Sequence, residues 1–174
     1  MKIDTSRHFI TMPHLRNIVR GMEASKMNVL QWHIIDGQSF PLESKLFPQL
    51  STKGRYCPTC TYSQDEIKAF IAFANERGVR VIPELDIPGH SGFQYGMPEI
   101  VACPYYEASQ GSDRALDPTL DQTYTFLIEV RYTLHPLRLY QAGVLLTVPS
   151  SIRSKQSLPR PPAFFYAATS CIDD

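Results

Sequence analysis

The chain has 174 residues, 43% of them hydrophobic, enough apolar sequence for one domain with a core. Lys plus Arg and Asp plus Glu number 17 each, and with no basic run to neutralise phosphates the sequence excludes nucleic-acid binding as a function class. No stretch approaches the roughly 18 consecutive apolar residues of a membrane span.

The N-terminus, Met1 to His8, is too polar for a signal peptide. Any targeting segment of a secreted product is therefore expected upstream of Met1. Lys2 to Thr5 is short and strand-like. Pro13 can open a helix, where its missing N–H costs nothing. Leu15, Ile18, Val19 and Met22 then recur at helical spacing. Asn28 to Asp36 is β-compatible, with Val29, Leu30, Trp32, Ile34 and Ile35 as its apolar residues.

Cys57-Pro58-Thr59-Cys60 is a CxxC with no second CxxC and no His-x-His partner, so a loop disulfide or two free thiols is expected rather than a zinc site. Ser63 and Glu66 form a capping-box signature ahead of a helix whose stripe is Ile67, Phe70, Ile71 and Ala74. Gly78 supplies the stop. Val79 to Asp86 is the strongest strand. Asp117-Pro118 precedes a third helix, with Leu120, Tyr124, Leu127 and Ile128 expected on its buried face.

Strands alternating with amphipathic helices predict βαβ units and a parallel α/β sheet, either barrel or open. Beyond Val130 the rhythm stops. Prolines at 136, 149, 159, 161 and 162 sit among serines and basic residues, and only Leu139 to Val148 is apolar enough for an element. Residues 1–130 are expected to be the folded unit and 131–174 an irregular tail.

In parallel α/β folds, ligands bind outside the carboxyl ends of the strands. That places the candidates: Arg7 after the first strand, His33 and Asp36 at the end of the second, and Glu84, Asp86 and His90 at the end of the third. Glu84 and Asp86, two apart in extended chain, face the same side. His33 and Asp36 differ by three, so at least one needs a bend or lies past the strand end. A carboxylate and an imidazole converging in a cleft suit proton transfer or metal binding, while the plainer alternative is a solvated loop end. His8 and His14 are expected at the surface. Trp32, the sole tryptophan, is expected in the core.

Three runs carry a family resemblance. Asp4-Thr5-Ser6-Arg7-His8-Phe9, Lys26 to Asp36 with Gln38-Ser39-Phe40-Pro41, and Pro83-Glu84-Leu85-Asp86-Ile87-Pro88-Gly89-His90 resemble the opening of the catalytic barrel of glycoside hydrolase family 20, the β-N-acetylhexosaminidases. The resemblance covers about 1–130. It implies the first three βα units of a (β/α)₈ TIM barrel and removal of terminal N-acetylglucosamine or N-acetylgalactosamine from glycans. It also implies substrate-assisted retaining catalysis, in which the sugar's acetamido oxygen attacks the anomeric carbon. No metal and no cofactor is implied.

Residue by residue, Arg7 looks like the family arginine that binds sugar hydroxyls. Asp36 and His90 look like the pair that supports the catalytic acid. His33, Glu84 and Asp86 match further positions lining the substrate site. The resemblance also implies a glycan or glycoconjugate partner, frequent dimerisation, and a lysosomal or secreted location. It implies that Cys103 has its disulfide partner past the fourth strand, and so lies unpaired here.

Two departures stand out. Asp36-Gly37 replaces the family's usual Asp-Asp. The catalytic Asp-Glu after strand four has no counterpart, because Asp65-Glu66 is the only such dipeptide and it sits at a helix start. The abrupt loss of similarity fits a retained intron, a frameshift or a truncated product. Rival readings are a sugar-binding relic without turnover, a metal-dependent hydrolase built on His33, Asp36, Asp86 and His90, and a non-functional product.

Overall fold

The computed structural model describes residues 1–90, 92–102 and 115–134, the last four of these as backbone. Strand β1 (Lys2–Asp4), helix α1 (Met12–Ala24), strand β2 (Val29–Ile35), helices α2 (Pro48–Gly54) and α3 (Gln64–Asn75), strand β3 (Arg80–Leu85) and helix α4 (Asp121–Leu134) follow in order. Single 3-10 turns at Phe93–Tyr95 and Pro98–Ile100 link β3 toward α4. The strands form one parallel sheet in the order β1-β2-β3. Parallel pairing requires a long crossover, and α1 and then α2 with α3 supply it. Helix α4 runs on through Leu134, so residues 131–134 are helical where the irregular tail was expected to begin at 131; the remainder of that expectation, 135–174 with the apolar run 139–148, falls outside the described residues, as do Cys103 and His135.

Alternation along the strands separates two faces. On β3, Val81, Pro83 and Leu85 are buried while Arg80 is exposed and Ile82 and Glu84 are half-buried. The buried face meets the helices. Trp32 lies fully buried there, with ring centroids 5.3 Å from Tyr62 and 5.2 Å from Phe70 of α3, both edge-on. Its indole N–H donates to Thr5 Oγ1 at 2.9 Å, so the core holds no orphaned donor at this ring. The opposite face carries Lys2, Gln31 and Ile82 in one register row, and Asp4, His33 and Glu84 in the next. That second row ends at the site.

Helix α1 buries Leu15, Val19 and Met22, with Pro13 in its first turn as expected. Helix α3 begins in a complete capping box: Ser63 Oγ accepts from Glu66 N at 3.2 Å, and Ser63 N donates to Glu66 Oε2 at 2.9 Å. Gly78 ends the turn at φ 69°, a left-handed value that glycine tolerates. Ser63→Ala is expected to lower stability by about 1 kcal/mol, read as a shift in the urea midpoint at unchanged slope. No shift would mean that the cap is redundant with packing of Ile67 and Phe70.

Two elements differ from the sequence expectation. Helix α2 has two turns, too short to leave a periodic stripe. Among residues 121–130 of α4 the buried ones are Thr123, Phe126 and Val130, whereas Ile128 is 47% exposed and Leu120 precedes the helix. The stripes 120/124/127/128 and 123/126/127/130 are equally helical in spacing. An aromatic pocket decides between them: Phe126 packs edge-on against Phe47 at 4.7 Å and Phe93 at 5.0 Å. Cys57 and Cys60 form a disulfide, the first of the two expected alternatives. No helix among the described residues is long and apolar enough to cross a membrane.

Candidate functional site

The carboxyl ends of the three strands converge on Asp36. As the chain leaves β1, Asp4 Oδ1 accepts from Ser6 N at 2.9 Å and Arg7 N at 3.1 Å, which turns the backbone at once. Arg7 is thereby brought back beside Asp4, with Nη1 2.6 Å from Oδ2. Ser6 and Ser39 then tie two loops together, since Ser6 Oγ donates to Ser39 O at 2.9 Å and Ser39 Oγ donates to Ser6 O at 2.7 Å.

Asp36 follows the end of β2. A register irregularity between His33 and Ile35 supplies the bend that a spacing of three demands. His33 Nε2 consequently lies 2.7 Å from Asp36 Oδ2. The same oxygen receives Arg7 Nη2 at 2.6 Å, and Gly37 N donates to Oδ1 at 2.6 Å. Asp36 is fully buried and His33 nearly so, while the Arg7 side chain is 39% exposed. Burying a carboxylate without a partner is costly, and this one is compensated on both oxygens. With Arg7 Nε donating to Gln38 Oε1 at 2.9 Å, at least three of the guanidinium's five N–H groups hold protein acceptors.

The loop after β3 closes the group. His90 adopts φ 54°, an uncommon value for a residue with a side chain, and its Nδ1 sits 3.5 Å from Asp36 Oδ1. Two residues on, Gly92 has φ 64°, and a Cβ there would lie 2.7 Å from Asp36 O. Glycine is required for this backbone approach. Tyr95 Oη donates to Gly37 O at 2.9 Å, fixing the turn from the far side. Asp86 lies just past β3, near enough that its carboxylate and ligand atoms of His33 and Asp36 fall within 4.8 Å of one another. That trio has donor types that could hold a cation, but the Arg7 guanidinium already occupies Asp36 Oδ2 and would repel one.

Charges in the site are unequal. Burial raises the Asp4 carboxyl, but hydrogen bonds from Arg7 and Ser6 outweigh it and leave the group below its ordinary value of 3.8. Glu84 behaves alike: burial raises it, and donors on Lys2, Gln31 and His33 bring it below 4.5. Asp86 goes the other way, raised by burial and by Glu84 and Asp36 against the pull of His90 and His33. The depressed pair contributes stability that is present above the unfolded values and lost as pH falls through the lower folded values. Asp86, binding its proton more tightly when folded, has the opposite slope. Below about pH 4.5 the Asp4 and Glu84 carboxylates are therefore expected to withdraw their contribution to stability, with Glu84→Gln flattening that loss in thermal melts. An unchanged acid limb in the variant would remove Glu84 from the account.

All six residues expected at the strand ends are thus in one neighbourhood. Glu84 is turned toward Lys2 at 3.1 Å, Gln31, and His33 Nδ1 at 3.1 Å. Sequence reading missed Asp4, Gln38, Gly92 and Tyr95. Asp4 carried a signal in its i,i+3 spacing to Arg7; Gln38 and Tyr95 act through side-chain contacts to residues 31 and 58 positions away, and Gly92 through close backbone approach, none of which a local pattern encodes. His8 and His14 are exposed, as expected.

Parallel strands separated by helices, with their polar residues gathered at the carboxyl ends, are the arrangement that α/β barrels share. Residues 1–140 match the family described as glycosyl hydrolase family 20, catalytic domain. Beta-hexosaminidase subunit A1 of Dictyostelium discoideum is 39% identical over 137 residues, 78% of this chain and 25% of that protein. Beta-hexosaminidase subunit beta of Homo sapiens is 40% identical over 128 residues, 72% of this chain and 23% of that protein. The crystal structure of a Flavobacterium johnsoniae chitobiase superposes with a TM-score of 0.71 at 34% identity, covering 79% of this chain and 21% of that one. The chain belongs to glycosyl hydrolase family 20. It spans about a quarter of the length of the curated relatives it matches.

Proposed function

We propose that these residues form the arginine and support side of a β-N-acetylhexosaminidase site, acting on glycans with a terminal N-acetylglucosamine or N-acetylgalactosamine. The observation that carries this reading is the buried Asp36, held between Arg7, His33 and His90 at adjacent strand ends. Arg7 offers its exposed edge to sugar hydroxyls, as a planar fork suits neighbouring oxygen acceptors. Asp36 orients His90, whose ring is half exposed and would support a catalytic acid. Glu84 and Asp86, beside His33 at the end of β3, would line the substrate site. Catalysis in this reading is substrate-assisted and needs no carboxylate nucleophile. The location would be lysosomal or secreted, and dimerisation would follow the frequent habit of the family.

The acid itself is not among the 174 residues. Asp65-Glu66 is the sole Asp-Glu pair, and Glu66 is engaged in the capping box of α3. General acid–base roles contribute about 10²–10⁴-fold, so the 174-residue polypeptide is expected to show no hydrolysis of a chromogenic N-acetylglucosaminide above buffer. Clear turnover that disappears in His90→Ala would overturn that expectation. Retained Arg7 exposure also supports a second reading, glycan binding without turnover. Saturable binding of N-acetylglucosamine that is lost in Arg7→Ala, with no hydrolysis, identifies it.

A further inference from the structure

The resemblance places His33 among substrate-lining positions, but its side chain is 2% exposed and both ring nitrogens face carboxylates. Nε2 lies 2.7 Å from Asp36 Oδ2 and Nδ1 lies 3.1 Å from Glu84 Oε1. Arg7 Nη1 approaches Nε2 at 3.3 Å, a longer and weaker alternative to the contact with Asp36. We infer that His33 is a positioning residue: it holds Asp36 Oδ2 through Nε2–H, so that the other carboxylate oxygen is presented to His90.

The support runs outward through Glu84. Its Oε1 takes Lys2 Nζ at 3.1 Å as well as His33, and its Oε2 takes Gln31 Nε2. A carboxylate anchored on both oxygens fixes the ring plane, and the ring fixes Asp36. With a carboxylate acceptor opposite each ring nitrogen, each N–H has a partner of its own. The arrangement is built across one register row of the sheet, His33 beside Glu84, so the strands themselves set its spacing. Its value to a hydrolase rests on the proposed reading above; the hydrogen-bond relay does not.

The test uses the full 174-residue chain labelled with ¹⁵N-histidine, ¹⁵N-arginine and ¹⁵N-tryptophan, with long-range proton–nitrogen correlation of the histidine ring signals. A bound proton on His33 Nε2 is expected, shifted in Asp36→Asn. His33→Gln places an amide donor near the Nε2 position, and His33→Leu fills similar volume with none. The His90 ring signals are expected to stay near wild type in the Gln variant and to move in the Leu variant toward those of Asp36→Asn. The single Trp32 indole signal reports folding. Identical His90 signals in both variants, with the indole signal intact, overturn the proposal and leave His33 as a space-filler. A wild-type His33 ring that gives only averaged signals overturns it too. Should the Leu variant lose its indole signal, Glu84→Gln decides: the His33 Nδ1 signal is expected to move while Nε2 stays bonded, and no movement overturns the relay. No sugar enters these measurements. A separate addition of N-acetylglucosamine that leaves the Arg7 and His90 signals unchanged counts against the hexosaminidase reading alone.

Discussion

Trp32→Ala is expected to destabilise the chain by about 3–5 kcal/mol, a large share of the roughly 5–15 kcal/mol that holds a typical domain together. The indole is fully buried between Tyr62 and Phe70, so its removal leaves a cavity bounded by rigid rings that cannot collapse inward. The effect extends to the site. Thr5 Oγ1 loses its indole donor, and Thr5 N pairs with His33 O at 3.0 Å, so the cavity opens beside the backbone that carries Arg7 and His33. Urea unfolding checks the magnitude. Trp32→Phe is expected to lose less, because it keeps one ring in place and removes only the remainder of the indole with its N–H contact. A loss below about 1 kcal/mol for Ala would show that the surrounding rings relax.

In a protein that joins these residues to the remaining strands of the barrel and to the family's Asp-Glu pair, Asp36→Asn is expected to lower kcat on the order of 10²-fold. KM is expected to move only a few-fold. The amide keeps its size but surrenders the charge that Arg7 and His33 face, and it can no longer hold His90 in a single tautomer. Arg7→Lys is expected to divide the effects differently. An ammonium cannot donate at once to Asp4, Asp36 and Gln38 as the fork does, so sugar binding weakens and KM rises. Steady-state kinetics on the two variants separate the roles. An Arg7→Lys enzyme with wild-type KM and kcat/KM would remove Arg7 from the sugar site.

Much of this was legible in the order of residues. The capping box at Ser63, the stripe of α1 and the hydrophobic run of β3 are local signals, each spelled out within a dozen residues. The six strand-end residues followed from a general rule about parallel sheets together with three long motifs. What remained illegible depends on distant contacts. The rotation of α4 is set by Phe47 and Phe93, which lie 79 and 33 positions before Phe126, and no helical period can anticipate that choice. His33 reads as one more polar residue near a strand end; only its burial between Glu84 and Asp36 gives it a different character. Gln38 and Tyr95 enter because the two-residue turn Gly37-Gln38 after Asp36 meets Arg7 on one side and Tyr95 on the other.

Gly92 has a consequence for how this site can vary. At that point nothing but main chain separates the loop bearing His90 from the carbonyl of Asp36. The distance between the two partners is thus set by the thickness of a peptide rather than by any side chain that could be exchanged for a larger or smaller one. Substitution elsewhere in the loop can change polarity or reach. A methyl group at position 92 would act as a wedge, widening a gap of 3.5 Å that is already at the outer limit of a useful contact. Tolerance to mutation should therefore fall sharply at this one residue, even though it carries no functional group of its own.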